Sequence, residues 1–184
     1  MNIDLGGKSA VLAGTEGALT SAIAQALAAN GATVSRLDPG ASGQRPGEGD
    51  GPFVLVFVSG GAGASLEADG DVSGDQQAFR QLVKQFAPGA KRIVAVFSAA
   101  GLVPVRDLPE LSGSQAGLAS LTRTMAMELG PQTCVNAVAV GAYEAGGAVH
   151  GSRLLSHSAV KRPARAIDGP ARDFDDMRFL LAGS

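Results

Sequence analysis

Short apolar runs separated by helical segments constrain the fold of this chain more than any other feature. Most of the runs are continuous and rich in valine, as expected of strands that are buried on both faces of a parallel sheet. The predicted strands are 9–14, 32–38, 53–58, 92–97 and 134–140. Parallel strands need crossover connections, and the segments between the runs can supply helices for them. The pattern predicts an α/β protein with helices on both faces of an open sheet.

The helical segments are recognised by their apolar period. In segment 19–31, Leu19, Ile23 and Leu27 recur at i, i+4 and i+8, and an Asn-Gly pair ends the helix. Further helices are predicted at 74–87, 112–129 and 171–183. A chain of 184 residues with 45% hydrophobic residues can bury one sizeable core, so residues 1–184 are predicted to form a single domain.

Charge and composition exclude several classes of function. The formal net charge is −2 and there is no tryptophan, which argues against nucleic-acid binding. No apolar run approaches the ~18 residues of a membrane span, and no signal peptide is recognised, so we expect a cytoplasmic protein without a membrane partner. The single cysteine, Cys134, is predicted to be a small core residue. His150 and His157 have no third ligand nearby, so no metal site is predicted.

Several segments together resemble one protein family. Residues 7–34 resemble the opening strand, phosphate loop and helix of the short-chain dehydrogenases/reductases, and FVLVFVSG (53–60) resembles the strand that ends in Asn-Asn-Ala-Gly. RIVAVFSAAG (92–101) is similar to the strand that carries the active-site serine. Residues 111–141 resemble the helix with Tyr-x-x-x-Lys and the strand after it. The resemblance implies a Rossmann-like, doubly wound parallel sheet.

The resemblance also implies a shortened sheet. A glycine- and proline-rich loop, 39–52, stands where the family has a helix and a strand, and the chain stops where the family adds a last strand. We therefore predict a sheet truncated to about five strands, in the order 2-1-3-4-5.

The catalytic positions of the family are altered in this sequence. In the family, tyrosine exchanges a proton with the substrate, lysine lowers the pKa of that tyrosine, and serine hydrogen-bonds the reacting oxygen. The resemblance places Leu111, Gln115 and Ser98 at these positions. Leucine cannot exchange a proton and an amide carries no charge, so all three are interpreted as vestigial. The only tyrosine, Tyr143, is followed four residues on by Gly147, so no other register restores the pair.

The cofactor positions are altered as well. The family pattern Thr-Gly-x-x-x-Gly-x-Gly falls on Ala13, Gly14, Ala18 and Thr20, where one glycine of three remains. Side chains at the other two positions would crowd a pyrophosphate at the helix N-terminus. Asp38 aligns with the acidic residue that binds ribose hydroxyls, but is interpreted as a turn residue. We expect this chain to bind no cofactor.

These features lead to one hypothesis of function and two alternatives. We expect a non-catalytic subunit that supports an active paralogue, with NAD or NADP bound in that partner. The family's helix interface implies a heterodimer or heterotetramer through helices 74–87 and 112–129. The basic loop 150–172 makes an acyl-CoA one candidate substrate of the complex, although a solvated loop is the simpler interpretation. The alternatives are a cofactor-independent enzyme that uses Ser98 and a small-ligand-binding protein.

Overall fold

The computed structural model describes residues 4–37, 51–63, 74–145 and 148–150. In these ranges the elements are β1 (Ser9–Gly14), α1 (Ala18–Ala29), β2 (Thr33–Leu37), β3 (Val54–Val58), α2 (Gly60–Gly63), α3 (Asp75–Phe86), β4 (Arg92–Ser98), a 3₁₀ turn (Ala99–Gly101), α4 (Pro109–Leu129), β5 (Cys134–Val140), β6 (Tyr143–Ala145) and β7 (Ala148–His150).

The five predicted strands form one parallel sheet in the order β2-β1-β3-β4-β5, which confirms the predicted fold class and strand order. In β1, Val11 pairs with Ser35 of β2 on one side and with Leu55 of β3 on the other. From β1 the chain adds β2 on one side and then β3 on the other, so the topological switch point lies between β1 and β3. Sheets of this class bind their ligands at the carboxyl ends of the strands at such a point. A separate antiparallel hairpin, β6-β7, was not predicted.

Two apolar clusters cover the two faces of the sheet. Side chains alternate along a strand, so Leu12 and Val11 of β1 point to opposite faces and belong to different clusters. The first cluster includes Leu118 of α4, together with apolar side chains of α3. The second cluster includes Leu19 and Ile23 of α1, as the period of that segment predicted. Helices therefore lie on both sides of the sheet.

Most predicted boundaries agree with the structure to within two residues, with one clear exception. Helix α4 begins at Pro109, three residues before the predicted start at 112, because proline is well accommodated in the first turn, where its missing N–H has no partner to lose. The predicted helix 171–183, Asp38, and most of the loops 39–52 and 150–172 lie outside the described residues.

The prediction for Cys134 is wrong. Cys134 is exposed rather than buried in the core. It is the first residue of β5, an edge strand of the described sheet, and it pairs with Arg92 at the amino end of β4. An apolar run therefore did not indicate burial here, because the start of an edge strand has few neighbours to cover it.

Candidate functional site

The residues aligned with the family's catalytic positions meet at the carboxyl edge of the sheet. Ser98 is the last residue of β4, and Leu111 and Gln115 lie one turn apart near the start of α4. The main-chain N–H of Ser98 donates to Gln115 Oε1 over 3.0 Å. The fold therefore brings Ser98 and Gln115 into direct contact.

Gln115 is the centre of a buried polar network. Its side chain is 0% exposed. Its Oε1 atom accepts from Ser59 Oγ at 2.8 Å as well as from the Ser98 N–H, and its Nε2 atom donates to Asp75 Oδ2 at 3.2 Å. A buried amide is stable only when its polar atoms are hydrogen-bonded, and this one is bonded at both ends.

Asp75 connects this network to α2. It is the first residue of α3, and both of its carboxylate oxygens accept from the Gly60 N–H at 3.1 Å. Neither Asp75 nor Ser59 was identified from the sequence alone. An acidic residue directly after a glycine at the start of a helix is a signal that could have drawn attention to Asp75. No local pattern marks Ser59, because it acts through partners that are distant in sequence.

The hydroxyl of Ser98 makes a local contact. Ser98 is 1% exposed, and its Oγ accepts from the Ala100 N–H at 3.3 Å, which caps the 3₁₀ turn. Burial and this cap hold the hydroxyl in a structural position at the end of β4.

Leu111 and Gln115 pack directly against α2. A Cβ atom placed on Gly61 would lie 2.7 Å from Leu111 Cδ1 and 2.8 Å from Gln115 Cδ. Non-bonded carbon atoms do not come this close, so a methyl group on Gly61 would force the side chains of Leu111 and Gln115 to shift. Leu111 is also part of a small apolar cluster with Ala100 and Val105. The place where the family has its proton-transferring phenol is thus filled by packed apolar groups.

The loop that aligns with the family's phosphate loop is closed by internal contacts. Thr20 is 2% exposed, and its Oγ1 donates to the Thr15 carbonyl at 2.5 Å, whereas Ala18 is exposed. Glu16, in the same loop, forms an ion pair of 2.6 Å with Arg36 of β2. These contacts tie the loop to its own helix and to the neighbouring strand.

Gly14, the one glycine retained from the pattern, is required by the sheet itself. Its φ is +125°, which side-chain-bearing residues rarely adopt, and a Cβ there would overlap the main chain of Val58 in β3. The glycine therefore allows the close approach of β1 and β3, whether or not a ligand is bound.

Tyr143 covers the same edge from the other side. It is 3% exposed, its hydroxyl donates to the Ala62 carbonyl of α2 at 3.4 Å, and its ring stacks on His150 with centroids 4.9 Å apart. Burial raises the pKa of Tyr143 above its ordinary value of 10.0. The phenol is therefore held protonated and bonded to the main chain.

Neither a cluster of metal ligands nor a membrane-spanning helix occurs in the described part of the chain. Within it, no three His, Cys, Asp or Glu side chains are grouped as a metal site requires. Of the helices in these ranges, none is long and apolar enough to cross a membrane.

Comparison with known proteins relates this architecture to one family. Residues 68–150 match the family model described as short chain dehydrogenase. A glucose/ribitol dehydrogenase of the short-chain dehydrogenase/reductase class from Brucella melitensis is 20% identical and superposes with a TM-score of 0.68, covering 98% of this chain and 91% of that chain. No curated protein matches the sequence at a significant level.

Two further solved structures show the same fold. A short-chain dehydrogenase/reductase from Serratia marcescens is 19% identical with a TM-score of 0.64, over 98% of this chain and 92% of that chain. BdcA, solved in complex with NADPH, is 17% identical with a TM-score of 0.66, over 97% and 88%. At these identities the structural likeness shows the fold alone.

Proposed function

We propose that this chain is a member of the short-chain dehydrogenase/reductase family, whose model matches residues 68–150, and that it is a subunit without catalytic activity of its own. It assembles with an active paralogue and supports hydride transfer there. The scaffold is that of the family's oxidoreductases, and the proposal concerns what this chain does with it.

The observation that carries the proposal is the buried network around Gln115. General acid–base catalysis needs a titratable group within hydrogen-bond reach of the reacting atom. At the family's catalytic lysine position this chain has a neutral amide whose two ends are both occupied by Ser59, Ser98 and Asp75. One helical turn earlier, Leu111 has no atom that could exchange a proton. The arrangement is suited to holding four elements together rather than to moving a proton.

The contacts of the first loop support a second part of the proposal, that NAD or NADP binds in the partner rather than in this chain. Thr20 stands where the family has a glycine, and its hydroxyl is used to close the loop on Thr15. Tyr143 and α2 are bonded to each other at the same edge. A dinucleotide would have to displace these contacts to reach the carboxyl ends of β1 and β3.

Helices α3 and α4 are the proposed contact with the partner. Four small residues of α4 could allow another helix to approach, namely Ala116, Gly117, Ala119 and Ser120, and of these Ala116 and Ser120 are exposed. Ala119 belongs to the core, and Gly117 accommodates the side chain of Gln76 from α3. A partner would therefore meet the outer stripe of α4 and not all four positions. The acyl-CoA substrate suggested by the loop 150–172 stays a prediction.

Purification of the tagged chain from its source tests the proposal. We expect a short-chain dehydrogenase with an intact Tyr-x-x-x-Lys to co-purify with it in a fixed ratio. The matched control is the partner expressed alone, which should have lower activity or an altered native mass. The isolated chain should show no heat of binding with NAD(H) or NADP(H) in calorimetry. Alcohol oxidation by the isolated chain with either dinucleotide would contradict the proposal.

A further inference from the structure

A surface groove with a volume of about 1070 Å³ runs along α3, from its first turn to the loop after it, and is closed on the other side by the last turns of α4. At the start of α3 the two helices are joined by a hydrogen bond, in which Gln76 Nε2 donates to the Ser114 carbonyl at 3.2 Å. A Cβ on Gly117 would overlap that Gln76 amide, so the glycine permits the contact. Gln76 also lines the groove, together with exposed side chains of α3 and of the end of α4.

The groove is predominantly basic. Arg80, Lys84 and Lys91 line it, and Glu128 is the one carboxylate among its lining residues. Within the described residues, none of these four side chains has an oppositely charged partner within 4.0 Å, because the one ion pair there is Arg36 with Glu16. The positive charge of the groove is therefore not compensated by the described part of the chain itself.

We infer that this groove selects a partner surface that carries carboxylates and disfavours pairing of the chain with a second copy of itself. The inference rests on the proposed function, because the occupant is the dehydrogenase subunit proposed above. In a two-fold contact through the groove the same patch faces itself, so a patch with three cations and one carboxylate meets an identical one. Even if each Glu128 paired across the axis, two cations of each copy would be left facing like charge.

The charge pattern determines specificity more than affinity. Exposed ion pairs contribute little each, whereas like charges placed opposite one another suppress the wrong partner. A hetero-oligomer needs this kind of discrimination when its subunits share one fold and could otherwise pair with themselves. Carboxylates on the active subunit would be attracted to the cations of the groove, whereas the cations of a second copy would be repelled by them.

Charge reversal tests the inference in the native complex. The tagged chain is compared with Arg80→Glu plus Lys84→Glu, and with a matched control, Lys8→Glu plus Arg106→Glu, whose side chains are exposed and lie outside the groove. We expect the groove variant to recover the dehydrogenase at least ~10-fold less than the unchanged chain, and the control to recover it equally. Circular dichroism and thermal melting show that both variants are folded. Sedimentation of the unchanged chain alone at low ionic strength should give the mass of a single copy.

The outcomes separate this inference from the proposed function. Equal recovery of the dehydrogenase by the groove variant and the unchanged chain would overturn the inference alone. A dimer of the isolated chain that the groove variant abolishes would also overturn it. Failure of the unchanged chain to recover any dehydrogenase would overturn the proposed function and this inference with it.

Discussion

At the scale of single residues, position 115 carries an amide where the resembling family has a cation, and this difference determines what the position can do. A lysine there would bring a buried charge, which needs a paired anion and lowers the pKa of groups nearby. Gln115 brings one acceptor and two N–H donors without charge, and the structure uses both ends of it. The residue has become a connector between strands and helices.

Replacement of Gln115 by methionine is expected to destabilise the protein by about 1–3 kcal/mol, because the buried Ser98 N–H would lose its acceptor. Urea unfolding measures the change in the free energy of unfolding. The matched control is Gln85→Met, at an exposed position of α3, which should change it by less than about 0.5 kcal/mol. Equal effects of the two substitutions would contradict the structural role of the network.

Restoring the family's residues is not expected to restore activity. With Leu111→Tyr and Gln115→Lys together, the phenol would need space that α2 occupies at Gly61. The lysine would take a buried position without the hydrogen-bond acceptor that Ser59 and Ser98 now use. We expect no reduction of NAD or NADP with alcohols, followed by the absorbance of the reduced nicotinamide, and a lower melting temperature. Measurable turnover by this variant would show that the site is open.

Because of Tyr143, the free energy of unfolding should decrease as the pH rises in the alkaline range. Because burial raises its pKa on folding, the folded chain retains a proton that the unfolded chain has lost above pH 10.0. The contribution is fully present below that pH and is lost as the pH rises through the folded pKa. Tyr143 is the only tyrosine, so tyrosinate absorbance reports on it alone. We expect a higher midpoint in the folded than in the urea-unfolded chain, and a smaller alkaline loss of stability in Tyr143→Phe.

At the scale of elements, two glycines have opposite roles that their sequence contexts do not reveal. Gly14 lies where β1 and β3 approach, whereas Gly113 lies in α4 with open space around its Cβ position. Gly14→Ala is therefore expected to cost at least about 2 kcal/mol or prevent folding. Gly113→Ala should stabilise the chain by about 0.5–1 kcal/mol, because alanine favours a helix interior. Chemical denaturation of both variants checks the signs, and destabilisation by Gly113→Ala would show that α4 is covered there.

The helices and strands were predicted correctly where apolar residues recur regularly along one face of the element or form a continuous run. The period of Leu19 and Ile23 identified α1 and its buried face, and the valine-rich runs identified the strands. The hairpin β6-β7 was missed because its strands have three residues each, too few for a period to appear.

At the scale of the whole molecule, the sheet belongs to both cores at once. Leu12 and Leu118 are each fully buried, in clusters on opposite faces of the sheet. We expect Leu12→Ala and Leu118→Ala each to cost about 2–5 kcal/mol. Because β1, β3 and β4 contribute to both clusters, both variants should unfold in a single transition. Tyrosine fluorescence and far-ultraviolet circular dichroism should give coincident midpoints, and separated midpoints would indicate two independent cores.

The sequence by itself determined the α/β class, the strands, and their order through its resemblance to the family, because apolar period and run length are local properties. Through the same resemblance it predicted that Leu111 and Gln115 stand where the family has a proton donor and a cation. Only the tertiary structure decided what replaced them, since Gln115 meets Ser59, Asp75 and Ser98 from 56, 40 and 17 positions away. It likewise decided that Cys134 is exposed. A period indicates which face of an element is apolar, but the other elements determine what that face meets and whether it is covered.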